Sequence, residues 1–152
     1  WQPAPLPEAA MDNARSIAAR IVGAMASCGI FSVEMFVSGD DVYFSQVTPR
    51  PSRDGLVTFV TQRINQFDLQ ARATQRLPID STLISPGAVR FLEGHPSQAA
   101  LAEAMAVEEV TVRMLGDGTL VLATADSAAE ARQRTDEAVR EIYKIDGKPG
   151  EN

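Results

Sequence analysis

The chain has 152 residues, 45% of them hydrophobic and 22% charged, which is the composition of one folded domain or two small ones. Its 14 Lys and Arg against 20 Asp and Glu leave a formal charge of −6, and no basic run supplies the clustered cations of a nucleic-acid groove. One cysteine, Cys28, and one histidine, His95, exclude an internal disulfide and a zinc cluster, and no apolar run reaches the ~18 residues of a membrane helix.

Taken in chain order, a Pro-rich start leads into an amphipathic helix predicted from Pro7 to Ser27, with Met11, Ala14, Ile17, Ala18, Ile21, Val22 and Met25 spaced by three and four, and with Gly29 as its stop. Ile30 to Val37 alternates as a strand, Ser38 to Asp41 reads as a turn, and Val42 to Val47 returns as the second strand of a hairpin. Pro49 and Pro51 end the pairing. Residues 56 to 76 carry the apolar spacing of a helix that leads to Leu77-Pro78, where a boundary is expected.

The tail from Ser85 predicts a strand (Ala88 to Leu92), a helix (Ser97 to Met105), a strand (Glu109 to Leu115), the turn Gly116-Asp117-Gly118, a strand (Thr119 to Thr124) and a helix (Ser127 to Tyr143). Ser127 with Glu130 matches a capping box, and Gly147 onward reads as a frayed terminus. The expected class is α+β: residues 1–80 form a helix, an antiparallel hairpin and helices, and residues 81–152 form a small β-α-β-β-α domain.

Within the hairpin, Glu34 lies on an apolar strand and needs a partner or a purpose. If facing residue numbers sum to 80, Glu34 stands opposite Gln46, within the ~4.5–5.5 Å Cβ separation of cross-strand pairs. If they sum to 79, Glu34 faces Ser45 and Gln46 points to the other face. Convergence therefore requires an odd-length turn or a bulge. Two oxygen-bearing side chains at that spacing suit Mg²⁺ that keeps several waters and bridges phosphates; a solvated strand face is the alternative.

The words "GIFSVEMFVSGDDVYFSQVTPRP" and "GLVTFVTQRINQFDLQARATQRLPI" resemble the C-terminal half of the ATP-grasp domain in the formate-dependent phosphoribosylglycinamide formyltransferase family. They are more distantly similar to the carboxyaminoimidazole ribonucleotide synthases. The resemblance covers about residues 8 to 80 well and the tail loosely, and Pro49-Arg50-Pro51 with Gly55, Val57 and Thr58 is its specific part. It implies an ATP-dependent acyl-phosphate ligase of purine biosynthesis, with ATP and Mg²⁺ as cofactors of the full-length parent. Glu34 falls on the first of the family's two metal glutamates and Gln46 on the second. The parent is expected to be a homodimer acting on small molecules, with no nucleic-acid or membrane partner.

Departures gather on the acceptor side. Where the family has His-Asp-Thr-Gly, the chain has Ser52-Arg53-Asp54-Gly55, so Arg53 replaces the aspartate that receives an amine, and Asp54 lies one position further on. Arg50 matches the Pro-Arg-Pro arginine, suited to a phosphate or carboxylate oxygen or to a salt bridge within its loop. The family's Lys and Arg-Arg, which grip a ribonucleotide phosphate, are replaced by the Gly116-Asp117-Gly118 turn. The resemblance thus implies a ligase with an altered acceptor site, or a degenerate ATP-grasp remnant serving as a binding or assembly module. The opening on Trp1 is read as a C-terminal piece of a cytoplasmic enzyme whose N-terminal half is its missing partner, and because the family's adenine- and phosphate-binding lysines lie upstream of Trp1, the piece is expected to be inactive alone. Trp1 is expected to pack on that half or to dangle. Four features are read as structural: Cys28 as a buried small hydrophobe, His95 as a loop residue, Asp40-Asp41 as a solvated turn, and the charges from Glu130 to Lys144 as an exposed helix face.

Overall fold

The computed structural model describes residues 1–148, and the chain divides into two compact units. One comprises Ala4–Thr58 and Arg63–Thr82; the other comprises Trp1–Pro3, Phe59–Gln62 and residues 83–148.

The first unit opens with α1 (Glu8–Ala24), whose first turn carries Glu8, a charge that suits the positive end of the helix dipole. The helix stops short of the expected Ser27. Met25 closes it through N–H bonds to the carbonyls of Ile21 and Val22, and Ala26 then turns left-handed at φ 45°, so the break falls before Gly29. This correction carries a second one. Cys28 lies beyond the helix end and is exposed rather than buried.

Next come β1 (Ser32–Ser38) and β2 (Asp41–Thr48), paired antiparallel through a Gly39-Asp40 turn. Gly39 has φ +61° at the first central position, where a type II′ hairpin turn needs glycine. α1 packs against this hairpin, and the Asn13 amide donates to the Asp40 carbonyl at 3.1 Å, pinning the turn to the helix.

The single helix expected over residues 56 to 76 is instead three pieces: a 3-10 turn (Asp54–Val57), α2 (Thr58–Thr61) and α3 (Gln66–Thr74). The break has a local cause. Asn65 is extended, and its side-chain oxygen accepts from the N–H groups of Phe67 at 2.9 Å and Asp68 at 3.2 Å, starting a new helix where apolar spacing alone suggested continuity.

In the second unit, β3 (Gly87–Glu93), β4 (Val110–Leu115) and β5 (Gly118–Thr124) form an antiparallel sheet in the order β3-β5-β4. The helices α4 (Gln98–Ala106) and α5 (Ala128–Asp146) pack on it and on each other. Central β5 is buried from Gly118 to Ala123, as expected of a strand covered on both faces. Val121 and Ala123 meet Ala100, Ala104, Ala138 and Ile142 in the core. Ser127 caps α5 by accepting from the Glu130 N–H at 3.1 Å, whereas the Glu130 carboxylate accepts from Arg134 at 3.1 Å.

At the start of the chain, Gln2 exchanges two backbone hydrogen bonds of 2.9 Å with Gly87. Trp1 does not dangle: its ring stacks on the Arg132 guanidinium at 3.8 Å. The expected frayed terminus falls mostly on residues 149–152, outside the described residues.

Candidate functional site

The hairpin carries both proposed pairings, one on each side of a bulge. From Ser32↔Thr48 to Glu34↔Gln46 facing numbers sum to 80, and from Met35↔Phe44 to Ser38↔Asp41 they sum to 79. Ser45 is the extra residue. An even, two-residue turn would otherwise send Gln46 to the opposite face; the bulge restores it to Glu34, and one residue decides the geometry.

Glu34 sits on an exposed position of β1. Its two carboxylate oxygens accept from the Ser45 hydroxyl at 2.9 Å and from the Gln46 side-chain amide at 2.9 Å. These bonds, Gln46 first and Ser45 second, lower the Glu34 pKa below the usual carboxylate range and hold the group ionised at neutral pH.

The donor chemistry of this pair fits a divalent cation of the Mg²⁺ type. Such an ion takes one or two carboxylates and completes its shell with water and phosphate oxygens. Each Glu34 oxygen has a second lone pair beyond the one engaged by hydrogen bonding. The Gln46 nitrogen is committed to Glu34, so its carbonyl oxygen is the atom left to coordinate. The pair offers one negative charge, and no group of three or more His, Cys, Asp or Glu suited to a metal occurs among the described residues.

After β2 the chain enters the Pro-Arg-Pro loop. Arg50 donates its backbone N–H to Thr48 at 2.9 Å and its guanidinium to the Pro51 carbonyl at 3.2 Å, so these contacts lie within its own loop. Arg53 is the helical-conformation residue that opens the 3-10 turn, and Asp54 is in the first turn. The structure thus joins Glu34 to Gln46 directly and sets Arg50, Arg53 and Asp54 on the loop that follows.

Sequence reasoning missed Gln66. Its side chain is 3% exposed and binds Ser52 twice, accepting from the N–H at 3.1 Å and donating to the carbonyl at 2.8 Å. Its own N–H donates to the Thr58 hydroxyl at 2.9 Å, and that hydroxyl donates to the Gly55 carbonyl at 2.6 Å. A Cβ at Gly55 would overlap the Gln66 amide oxygen, which gives Gly55 a steric reason beyond turn formation. The sole sequence signal was a polar residue beside apolar Phe67.

Residues 1–67 match the ATP-grasp domain family, and the chain resembles the C-terminal part of an ATP-grasp ligase. A similar solved structure, N5-carboxyaminoimidazole ribonucleotide synthetase from Thermotoga maritima, gives a TM-score of 0.83 at 26% identity over 91% of this chain and 43% of that one.

More particularly, the chain resembles the formate-dependent phosphoribosylglycinamide formyltransferases. It is 47% identical to the one from Corynebacterium jeikeium (strain K411), over 91% of this chain and 37% of that protein. The structure named glycinamide-RNase-transformylase T from Mycobacterium tuberculosis gives a TM-score of 0.88 at 44% identity, covering 93% of this chain and 44% of that one. The chain spans well under half the length of these relatives.

Proposed function

We propose that the chain is the metal- and loop-bearing portion of an ATP-dependent acyl-phosphate ligase of the formyltransferase type. The observation that carries this reading is the Ser45 bulge, which sets Glu34 and Gln46 together on one face within the segment that matches the ATP-grasp domain. In the parent, the γ-phosphoryl group of ATP passes to formate or another carboxylate, and an amine displaces phosphate to give an amide, ADP and phosphate. Mg²⁺, when bound, neutralises phosphate charge during that transfer. Glu34 and the Gln46 carbonyl would hold it. Arg50 pairs with a phosphate or carboxylate oxygen.

The acceptor site differs from that of the purine-biosynthesis enzyme. Arg53 would repel an ammonium group, so an acceptor with an acidic group suits it better. Residues 1–80 are assigned to the ATP-grasp domain and 81–152 to a small C-terminal domain, a division supported by the family match ending at residue 67 and by β3 starting at Gly87, although Trp1–Pro3 and Phe59–Gln62 group with residues 83–148 in space. The parent is a cytoplasmic homodimer in this reading, and the 152-residue chain alone is inactive. No helix among the described residues is long and apolar enough to cross a membrane.

A second reading, a degenerate ATP-grasp remnant acting as a binding or assembly module, is favoured by one observation: the Gln46 amide satisfies Glu34 without any metal. ADP release by the full-length protein with ATP, Mg²⁺ and formate separates the two. Turnover with an amine other than glycinamide ribonucleotide is expected. Turnover with glycinamide ribonucleotide would restore the orthodox acceptor, and ATP binding without release for any amine would favour the module.

A further inference from the structure

The Pro49–Gly55 loop carries three charged side chains, Arg50, Arg53 and Asp54, yet the backbone of Ser52 at its centre is bonded by a side chain rather than by a strand or helix. That side chain is the buried amide of Gln66. We infer that Gln66 is the positioning residue of this loop, setting the place from which Arg50 and Arg53 reach an oxyanion. The inference rests on the ligase reading above.

The chemistry requires an amide. Ser52 presents an N–H and a carbonyl to the same partner, and only a side chain with an acceptor beside a donor answers both. A glutamate would set a second oxygen against the Ser52 carbonyl. The arrangement closes into a ring: Ser52 to Gln66, the Gln66 N–H to Thr58, and the Thr58 hydroxyl back to Gly55. Four residues therefore fix both ends of the Ser52–Gly55 segment. A hydrophobic residue of similar volume would fill the same buried space without desolvating an amide, so the amide is explained by the loop it holds rather than by core filling.

Gly55 belongs to the same device. Because a Cβ there would overlap the Gln66 amide oxygen, Gly55→Ala displaces the amide from the loop side while leaving Gln66 itself intact. Two substitutions on different elements should thus produce one effect, and combining them should add little, because the second removes what the first has already broken.

The test uses the full-length enzyme, with Gln66→Met, Gln66→Glu, Gly55→Ala and the Gln66→Met/Gly55→Ala double variant. Gln66→Met and Gly55→Ala are each expected to raise KM at least tenfold for one anionic substrate, ATP, the activated carboxylate or an acceptor with an acidic group, with kcat within about threefold of wild type. Whichever KM moves identifies the substrate that carries the oxyanion. Exchange of the Ser52 amide hydrogen should accelerate at least tenfold in Gln66→Met and less in Gln66→Glu, which keeps the acceptor. Unchanged KM values, a fall in kcat that merely follows the folded fraction, or multiplying losses in the double variant would overturn the inference. Should Gln66→Met fail to fold, Gly55→Ala decides by the same KM criterion, with acceleration of Ser52 exchange expected there as well because the amide is displaced. A wild-type enzyme that neither binds ATP nor turns over defeats the ligase reading and the oxyanion role with it; Ser52 exchange then reports separately whether the clamp exists.

Discussion

Glu34 is held ionised by two neutral donors, and that choice of partner sets how it responds to pH and to metal. Its folded pKa lies below the ordinary value, so between the two values the unfolded chain binds more protons. The stabilisation is present above about pH 4 and disappears as pH falls through the depressed folded value. Asp80 and Asp146 behave alike, the first held down by Thr82 and the second by Ser97. Gln46→Glu removes a donor and adds a like charge, which raises the carboxylate pKa in the folded state, so without metal the variant should be least stable relative to wild type near neutral pH and recover as pH falls and one carboxylate of the pair is protonated. The same substitution supplies a second carboxylate, and the Mg²⁺ concentration for half-maximal ATP turnover in the full-length enzyme should fall by roughly tenfold. Thermal melts across pH 3 to 7 and a Mg²⁺ titration read the two effects; an unchanged Mg²⁺ requirement would remove Gln46 from the metal site.

Among the elements, α5 shows how charge can be structural. The sequence read Glu130 to Lys144 as a solvated face, but Arg134 is only 16% exposed and pairs with Glu108, Glu109 and Glu130 at 3.1 to 3.2 Å. It also donates to the Thr124 carbonyl at 2.8 Å. This hub secures the corner before β4, where Glu109 adopts φ 54°, a left-handed conformation that a non-glycine residue holds only with support. The Glu109 carboxylate in turn accepts from the Thr124 hydroxyl at 2.7 Å. Arg134→Met should cost about 1–2 kcal/mol in chemical denaturation, because the part-buried Thr124 carbonyl loses its donor, while the exposed carboxylates of Glu108, Glu109 and Glu130 return to water. Arg134→Lys should recover less than half, since an ammonium cannot serve the carboxylates and the carbonyl in the same planar geometry.

For the whole molecule, apolar surface on the hairpin is the feature with consequences in solution. Phe36 and Tyr43 are 64% and 58% exposed and pair across the strands, so they form an apolar patch on one face of the hairpin, while Phe44, paired with Met35, lies on the other face. The 152-residue chain by itself should therefore self-associate through this hairpin. Sedimentation velocity is expected to show a concentration-dependent dimer that Phe36→Ser with Tyr43→Ser abolishes. A monomer at high concentration would count against this.

The sequence determined the order of elements, the antiparallel hairpin and the small domain, because these rest on local periodicity and on turn residues such as Gly39 and Gly116 that act over a few positions. It also placed Glu34 within reach of Gln46, conditional on a bulge whose need could be counted though its position could not. Tertiary structure decided the rest. Which residue bulges depends on pairing energy along two strands, and the split of the helix expected over 56 to 76 depends on a cap at Asn65 competing with apolar spacing. Trp1 on Arg132, Arg134 with Glu108 and Glu109, and Gln66 on Ser52 join residues far apart in the chain. Their partners are fixed by packing, which no local pattern encodes.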